Sequence, residues 1–175
     1  RDARKTFAPL YVSLFLNTAP FMIYFGEEVG EKGMDEEGFS GRDGRTTIFD
    51  WWSIASIRRL RKLIASGKYR SSSVSELVEN GLMKEEAELF LRFTEAVRFA
   101  AEDCSIRQGT TYDLCYCNMS SDGFDKNRHF VFLRDYEEHT LLIAVNFSNR
   151  EAVMKLVIPE HAFEWMGIPK TEALH

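Results

Sequence analysis

The sequence predicts an α+β fold in two parts, because the spacing of its apolar residues changes once along the chain. Up to residue 103, apolar residues mostly recur every three or four positions, which is typical of one face of a helix. Beyond Gly109 they alternate with polar residues, and Val, Ile, Phe and Thr become frequent, as in strands with one buried face. We therefore divide the chain into residues 1–103 and residues 104–175, and we expect an antiparallel sheet in the second part.

The composition allows a globular core and disfavours two kinds of partner. Of the 175 residues, 45% are hydrophobic and 13% are aromatic, well outside the range of disordered chains. Basic residues number 22 and acidic residues 27, so the net charge is −5, whereas a nucleic-acid interface needs a basic face. The longest apolar run, FAPLYVSLFL, is about half of the length that crosses a bilayer. We expect neither a nucleic-acid nor a membrane partner.

Four helices and one strand are predicted in the first part, with the helices over residues 5–17, 50–67, 73–81 and 84–103. Asp50 is placed to cap the second helix and Gly67 to end it, while Ser73 and Glu76 have the spacing of a capping box. The basic run RRLRKL at 58–63 is interpreted as the solvated side of the second helix. The apolar residues of that helix are Ile54, Ile57, Leu60 and Ile64. The strand, FMIYF at 21–25, is apolar on both faces, as in a parallel sheet.

Four strands are predicted in the second part, over residues 111–117, 129–136, 140–147 and 152–158. Cys115 and Cys117 fall on one face of the first of these strands. Together with Cys104 they are interpreted as reduced core cysteines, because a metal site would need a C-x-x-C pair or a second pair nearby. Arg134, in FLRDY, is expected to pair with a nearby acid. We predict no metal and no cofactor.

A long polar loop over residues 26–49 lies between the predicted strand and the second helix. In α/β barrels, loops of this kind build the face that carries the active site. Glu27 and Glu28 are adjacent at its start, but neighbouring residues after a strand point in different directions and do not naturally flank one bond. We interpret Glu27 as a solvated carboxylate. For Glu28, a substrate-side role and a structural hydrogen-bonding role both stay open.

Two segments resemble the α-amylase family of glycoside hydrolases. The stretch APFMIYFGEEVG resembles the eighth barrel strand of those enzymes, whose pattern is roughly T-P-hydrophobic-I-Y-Y-G-x-E-x-G. The matching residues are Thr18, Pro20, Ile23, Tyr24, Gly26, Glu28 and Gly30. The stretch HFVFLRDYEEHTLLIAVNFSNREAVMKLVIP is similar to the C-terminal β-domain of the family. The two matches follow the order in which the family carries them, and together they cover most of the chain.

The resemblance implies a fold and a mechanism for a longer parent enzyme. Residues 1–103 would be the last βα unit and helices of a (β/α)8 barrel, and residues 104–175 a truncated antiparallel β-sandwich-like domain. One predicted strand cannot form a sheet and four make a thin sandwich, so we expect the chain to be incomplete at both ends. The family uses a retaining mechanism, with an Asp nucleophile, a Glu acid/base and a third Asp in an N-H-D-type motif. All three precede the eighth strand, so no catalytic residue carries over and the chain alone should be inactive.

The resemblance also implies an α-glucan or maltooligosaccharide as the ligand of the parent. We assign Phe25, Glu28, Arg45 and Trp51 as candidate substrate-binding residues. Phe25 stands where the family pattern often has Tyr. Trp51, like Trp52, would either stack on a sugar or pack on a neighbouring helix. Arg45, with Arg42 and Asp43, would either face the substrate or tie the loop together.

Three further expectations concern the context of the chain. The alternative to an enzyme fragment is a stand-alone accessory module that binds glucan or another protein. In either case, exposed barrel surface around residues 21–25 would favour self-association or poor order there. Reduced cysteines favour the cytoplasm, although family members also occur in periplasmic and secreted settings.

Overall fold

The computed structural model describes residues 3–24, 26–31, 54–71 and 73–168. The chain forms two compact units. The first contains Arg1–Arg4 and Met22–Ala96, and the second contains Lys5–Phe21 and Val97–His175. The fold class is α+β, as the sequence predicts. The units differ from the expected parts 1–103 and 104–175, since residues 5–21 and the end of the long helix belong with the sheet.

The first unit is helical over its described residues. It contains α2 (Ala55–Ala65), α3 (Val74–Glu79) and α4 (Lys84–Glu102) as far as Ala96. Its core joins the apolar faces of these helices to a short turn near residue 29 and consists of Val29, Ile57, Leu60, Leu63, Leu77, Leu82, Ala87 and Phe90. The helices agree with the prediction to within a few residues, except that Asp50 and residues 51–53 lie outside the described residues.

Local sequence signals explain the helix ends. Ser73 caps α3, because its side chain accepts a hydrogen bond from the Glu76 amide at 3.2 Å, as the capping-box spacing predicts. The basic side of α2 is solvated as expected, with Arg58, Arg61 and Lys62 exposed. Ile64 was placed on the buried face but is exposed, and Leu63 takes its place in the core. Ser56 lies seven residues before Leu63, on the same side of the helix, and is also buried, so the buried face is rotated towards Leu63.

A charged pair ties α2 to α4. Glu86 is buried in the first turn of α4, where its carboxylate accepts hydrogen bonds from the Met83 amide at 3.0 Å and from Nε of Arg59 at 2.8 Å. Arg59 also donates through Nη2, so the pair is bidentate. Burial alone would raise the pKa of Glu86, but the hydrogen bonds from Arg59 and Met83 outweigh it and lower that pKa. The hydrogen bond to Glu86 correspondingly raises the pKa of Arg59.

The second unit is built on a three-stranded antiparallel sheet in the order β1–β2–β3. The strands are β1 (Thr110–Asp113), β2 (His129–Tyr136) and β3 (His139–Asn146). Tyr112 pairs with Leu133, and Leu133 pairs with Leu142. The helices are α1 (Phe7–Leu16), α5 (Cys104–Gln108), α6 (Cys115–Asn118) and α7 (Glu160–Met166), with the end of α4. The hairpin of β2 and β3 confirms the predicted strands at 129–136 and 140–147.

Helices and an extended segment cover the two faces of this sheet. Helix α1 contacts β3, and α5 contacts both β2 and β3. Side chains alternate along a strand, so buried Phe132 points away from Val131 and Leu133. The core on the face of Val131 consists of Tyr112, Leu114, Phe124, Val131, Leu133, Ala162 and Met166. Helix α7 therefore packs on the face opposite to Phe132.

The predicted strand at 152–158 does not form, although its alternation is correct. Met154, Leu156 and Ile158 pack against the core, and the residues between them are exposed. The backbone of Val157 bonds to the side chain of Asn118 instead of to a neighbouring strand. The Val157 amide donates to Oδ1 at 2.7 Å, and Nδ2 donates to the Val157 carbonyl at 2.9 Å. Asn118 is fully buried, so one side chain replaces part of a sheet ladder.

The strand predicted at 111–117 stops after Asp113. The Asp113 carboxylate accepts a hydrogen bond from the Cys115 amide at 2.7 Å, and α6 follows. Cys115 and Cys117 therefore lie on a short helix rather than on a strand. They and Cys104 are free and half-buried. Burial raises the pKa of the Cys115 and Cys117 thiols, so both remain protonated at neutral pH.

The strand predicted at 21–25 is not formed over residues 21–24, and Phe25 lies outside the described residues. The side chains of Phe21, Met22, Ile23 and Tyr24 are exposed. A strand needs a neighbour to take up its amide and carbonyl groups, and none of the three described strands pairs with this segment. Within the described part of the chain, no helix is long and apolar enough to cross a membrane.

Contrary to the expectation from the sequence, Arg134 does not pair with an acid among the described residues, but binds oxygen atoms of the backbone. Its side chain, 4% exposed, donates to the carbonyls of Leu16 at 3.1 Å, Ser105 at 3.0 Å and Ile106 at 2.7 Å, and to the Thr111 hydroxyl. Leu16 ends α1, so its carbonyl has no partner within the helix. The pKa of Arg134 is lowered by burial, which withdraws the guanidinium from water.

We expect Glu86→Gln to lower the free energy of unfolding by about 2 kcal/mol at pH 7, because Arg59 loses its charged partner. The pKa of Glu86 is lowered in the folded state, so the stabilisation is complete above the ordinary value of 4.5 and is lost as pH falls through the folded pKa. Urea unfolding between pH 3 and pH 7 measures this. The difference between the variant and the wild type should shrink below pH 4.5, whereas the more exposed control Glu88→Gln should show little difference at any pH. A constant difference across this range would contradict the assignment.

Replacing Arg134 by Met should lower the free energy of unfolding of the second unit by about 3 kcal/mol, since several buried carbonyls lose their donor. Arg134→Lys should recover only part of this, because one ammonium cannot reach acceptors that are spread across a guanidinium. The measurement is urea denaturation followed by circular dichroism. Arg128→Met is the control, since the exposed Arg128 side chain pairs locally with Asp125 and the substitution keeps the backbone contact with Phe147, so it should change the stability by less than about 0.5 kcal/mol.

Candidate functional site

The segment that carries the family pattern folds into a tight turn. Glu27–Val29 forms one turn of 3-10 helix between Gly26 and Gly30, whose φ angles are +88° and +68°. The Glu27 amide donates to the Tyr24 carbonyl at 3.1 Å, and the Glu31 amide donates to the Gly26 carbonyl at 2.9 Å. A Cβ atom on Gly26 would lie 2.7 Å from Cβ of Glu31. Only glycine meets both the backbone angle and the space at this position.

Two contacts anchor this turn to the first unit. Val29 is buried and belongs to the core that joins α2, α3 and α4. Glu31 accepts a hydrogen bond from the Ser56 hydroxyl at 2.7 Å, and Ser56 lies in the first turn of α2. The turn is therefore held from within by apolar packing and at its end by a polar contact.

The side chains of Glu27 and Glu28 have different environments. Glu27 is exposed, and its carboxylate accepts a hydrogen bond from the Tyr24 amide at 3.1 Å, so it closes the turn. Glu28 is half-exposed, and its carboxylate makes no hydrogen bond or ion pair with the described residues. Consecutive residues of a 3-10 helix point about 120° apart, so the two carboxylates do not face a common bond. This turn does not present a catalytic pair.

Of the four candidate substrate-binding residues, the described part of the chain contains Glu28 alone. Phe25, Arg45 and Trp51 lie outside the described residues. The same holds for Arg42, Asp43 and Trp52. Glu28 is thus the one candidate with a known environment, an accessible carboxylate on an anchored turn.

A second group of polar and aromatic side chains lies in the second unit. The Tyr112 hydroxyl is 2.6 Å from the Tyr116 hydroxyl and 3.1 Å from Nδ1 of His161. The rings of His161 and Trp165 lie nearly parallel, at 28° and 6.2 Å between centroids. Hydrogen bonding to Tyr116 raises the pKa of Tyr112 to about 12, with burial as the second cause. Tyr112 therefore keeps its proton at neutral pH and can always bridge its two neighbours.

Sequence reasoning missed this group, because its members come from two distant segments. Tyr112 and Tyr116 flank the junction of β1 and α6, whereas His161 and Trp165 lie one turn apart on α7. The spacing of four residues within EHAFEWM would indicate that His161 and Trp165 share a helix face. Nothing in either segment indicates that the two meet, since their contact depends on how α7 packs beside β1.

Among the described residues, no group of three or more His, Cys, Asp or Glu side chains is placed to hold a metal ion. Comparisons with protein-family models, with curated proteins and with solved structures find no match.

We expect Gly26→Ala to destabilise the first unit more than Gly67→Ala. Both glycines have positive φ angles, so each substitution costs about 1 kcal/mol in backbone strain. A Cβ atom on Gly67 meets nothing within 4 Å, whereas one on Gly26 collides with Glu31. Thermal unfolding measures the two effects side by side, with Gly67→Ala as the strain-only control. Equal losses in the two variants would contradict the close packing of the turn.

Proposed function

We propose that this chain is the C-terminal portion of an α-amylase-type glycoside hydrolase. The parent enzyme acts on α-glucans or maltooligosaccharides by a retaining mechanism. The observation that carries the proposal is the G-x-E-x-G segment at 26–30, where both glycines have backbone angles that favour glycine and the glutamate is accessible. Positive φ angles give Gly26 and Gly30 of this chain a physical reason to be glycine.

In this proposal Glu28 lies at the rim of the active site and accepts hydrogen bonds from sugar hydroxyls. Its carboxylate is half-exposed and makes no hydrogen bond with the described residues, so it is available as an acceptor on this side of the turn. Phe25, Arg45 and Trp51 belong to the same rim by the family pattern. The eighth strand of the barrel would comprise residues 21–25, and the exposed apolar side chains of 21–24 would be covered by its neighbours in the parent.

Catalysis belongs to the upstream part of the parent enzyme. Retaining hydrolysis needs a nucleophile and an acid/base whose carboxyl groups lie about 5–5.5 Å apart on either side of the scissile bond. Glu27 is engaged with the Tyr24 amide and diverges from Glu28, so the pair does not meet this need. The purified chain should not release glucose or shorter oligosaccharides from maltoheptaose.

The decisive experiment uses the full-length parent and matched carboxylate variants. We expect an N-H-D-type motif a few tens of residues upstream of Arg1, and hydrolysis of maltoheptaose with retention of anomeric configuration by nuclear magnetic resonance (NMR). Glu28→Gln should lower kcat/KM roughly tenfold, because one charge-assisted hydrogen bond to the substrate is lost. Glu27→Gln, the adjacent control, should lower it less than about twofold.

Two outcomes would contradict the proposal. If Glu28→Gln and Glu27→Gln lowered kcat/KM equally, Glu28 would not be a substrate-binding residue. A start codon and promoter directly before Arg1 would favour the alternative, a stand-alone accessory module. The observation that favours this alternative is that each unit has its own apolar core among the described residues.

A further inference from the structure

Three aromatic rings form an exposed patch on the second unit. Trp165 is 66% exposed, Tyr116 is 55% exposed and His161 is also exposed. Single exposed apolar side chains are common on proteins, but these three are connected, because Trp165 stacks on His161, and His161 and Tyr116 both contact Tyr112. A Trp or Tyr ring is large and has a polar tip, which suits it to a surface that contacts a ligand. We refer to Tyr116, His161 and Trp165 as the aromatic platform.

Buried residues beneath the aromatic platform fix its position. Tyr112 is 8% exposed and bonds at once to Tyr116 and to His161, so it fixes rings from two different helices. Helix α7 is fixed by Ala162 and Met166, which lie in the core. Because the rings are ordered before any ligand arrives, binding loses little conformational entropy. Rigid aromatic side chains with few torsions bind at low entropic cost for the same reason.

The charges around the platform disfavour an anionic ligand. Glu160 and Glu164 lie on the same helix as His161 and Trp165, and Asp113 adjoins the β1–α6 junction. All three are exposed, and among the described residues the Lys and Arg nearest in sequence to the platform are Arg107, Lys126 and Lys155, while Lys170 lies outside the described residues. Phosphate, nucleic acid or an acidic lipid headgroup would be repelled by these carboxylates. A neutral ligand with both an apolar face and polar edges fits better.

We propose that the aromatic platform binds a neutral oligosaccharide. A pyranose ring presents C–H groups on its face and hydroxyls at its rim. The face would pack on Trp165 and Tyr116, and the rim would meet Nε2 of His161 and the Tyr116 hydroxyl. Nδ1 of His161 bonds to Tyr112, which leaves Nε2 directed elsewhere. The aromatic platform does not depend on the proposed enzyme, but the choice of an α-linked glucan rests on that proposed function.

The test is a titration of the chain with maltoheptaose, and separately with cellohexaose, by isothermal calorimetry and by NMR. We expect weak, saturable binding of maltoheptaose that shifts the indole signal of Trp165, assigned with Trp165→Phe. Trp165→Ala and Tyr116→Ala should each lower the affinity roughly tenfold, since each removes one aromatic contact. Tyr69→Ala is the matched control, because Tyr69 is an exposed tyrosine in the first unit, and it should leave the affinity unchanged.

Tyr112→Phe separates positioning from packing. It keeps the buried ring but removes the hydroxyl that bonds to Tyr116 and His161. The affinity should fall by roughly threefold, less than in Trp165→Ala, while circular dichroism stays unchanged. If a variant lost affinity because it unfolded, its circular dichroism spectrum would show the unfolding. The shift of the Trp165 indole signal on addition of maltoheptaose is measured on the wild-type chain and does not depend on any variant.

Each outcome of the titrations either supports or contradicts the proposed binding of oligosaccharide. Absence of binding to both sugars, or equal binding by Trp165→Ala and the wild type, would overturn the platform. If Trp165→Ala abolished self-association measured by light scattering and left sugar binding unchanged, the patch would be a protein interface instead. Binding of cellohexaose without maltoheptaose would keep the platform and overturn the α-glucan assignment. An active parent enzyme with a chain that binds neither sugar would overturn the platform and leave the proposed function standing.

Discussion

The guanidinium of Arg134 lies inside the second unit and bonds to elements that are far apart in the chain. Its partners are the carbonyl at the end of α1, two carbonyls of α5 and the hydroxyl of Thr111 on β1. A buried charge is costly unless polar groups replace the lost water. Carbonyl oxygens of helix ends are suited to this, because they carry the negative end of the helix dipole. Helix α5 has only five residues and would be unstable alone, so its position against β2 and β3 depends on this contact.

Polar side chains complete the backbone hydrogen bonding at several other points where regular structure stops. Asn118 takes the place of a strand for Val157, and Asn17 donates to the Ile106 carbonyl at 2.8 Å beside the contact of Arg134. In the first unit, Glu86 accepts the first free amide of α4. Asn118, Ile106 and Glu86 are buried, where an unpaired amide or carbonyl would be costly. These side chains lie where a helix or strand ends, and their hydrogen bonds connect that element to another part of the chain.

Sequence alone predicted what depends on neighbours within a few residues. The caps at Ser73 and Gly67 and the β2–β3 hairpin follow from local spacing, and the structure has them. Prediction from the sequence failed where the local structure depends on a residue that is distant in the chain. The alternation at 152–158 indicated the buried side correctly, but whether a strand forms depends on an available ladder, and Asn118 occupies that place. The acid expected beside Arg134 was replaced by carbonyls that only the packing of α1 and α5 brings near. Among the candidate residues, Glu28 is assigned from its motif and stays a prediction, while the aromatic platform depends on the packing of α7 beside β1.

Glu28 and the aromatic platform suit different tasks because their chemistry differs. A half-exposed carboxylate on an anchored turn accepts hydrogen bonds and is a poor stacking surface, whereas the platform offers ring faces and few acceptors. Neither has the two opposed carboxyl groups that glycoside hydrolysis requires. In the parent enzyme we propose, Glu28 would contact the substrate that reacts, and the platform would hold a chain of sugars without changing it. Loss of Glu28 should therefore appear in kcat/KM for a short oligosaccharide, and loss of Trp165 in the binding of longer chains.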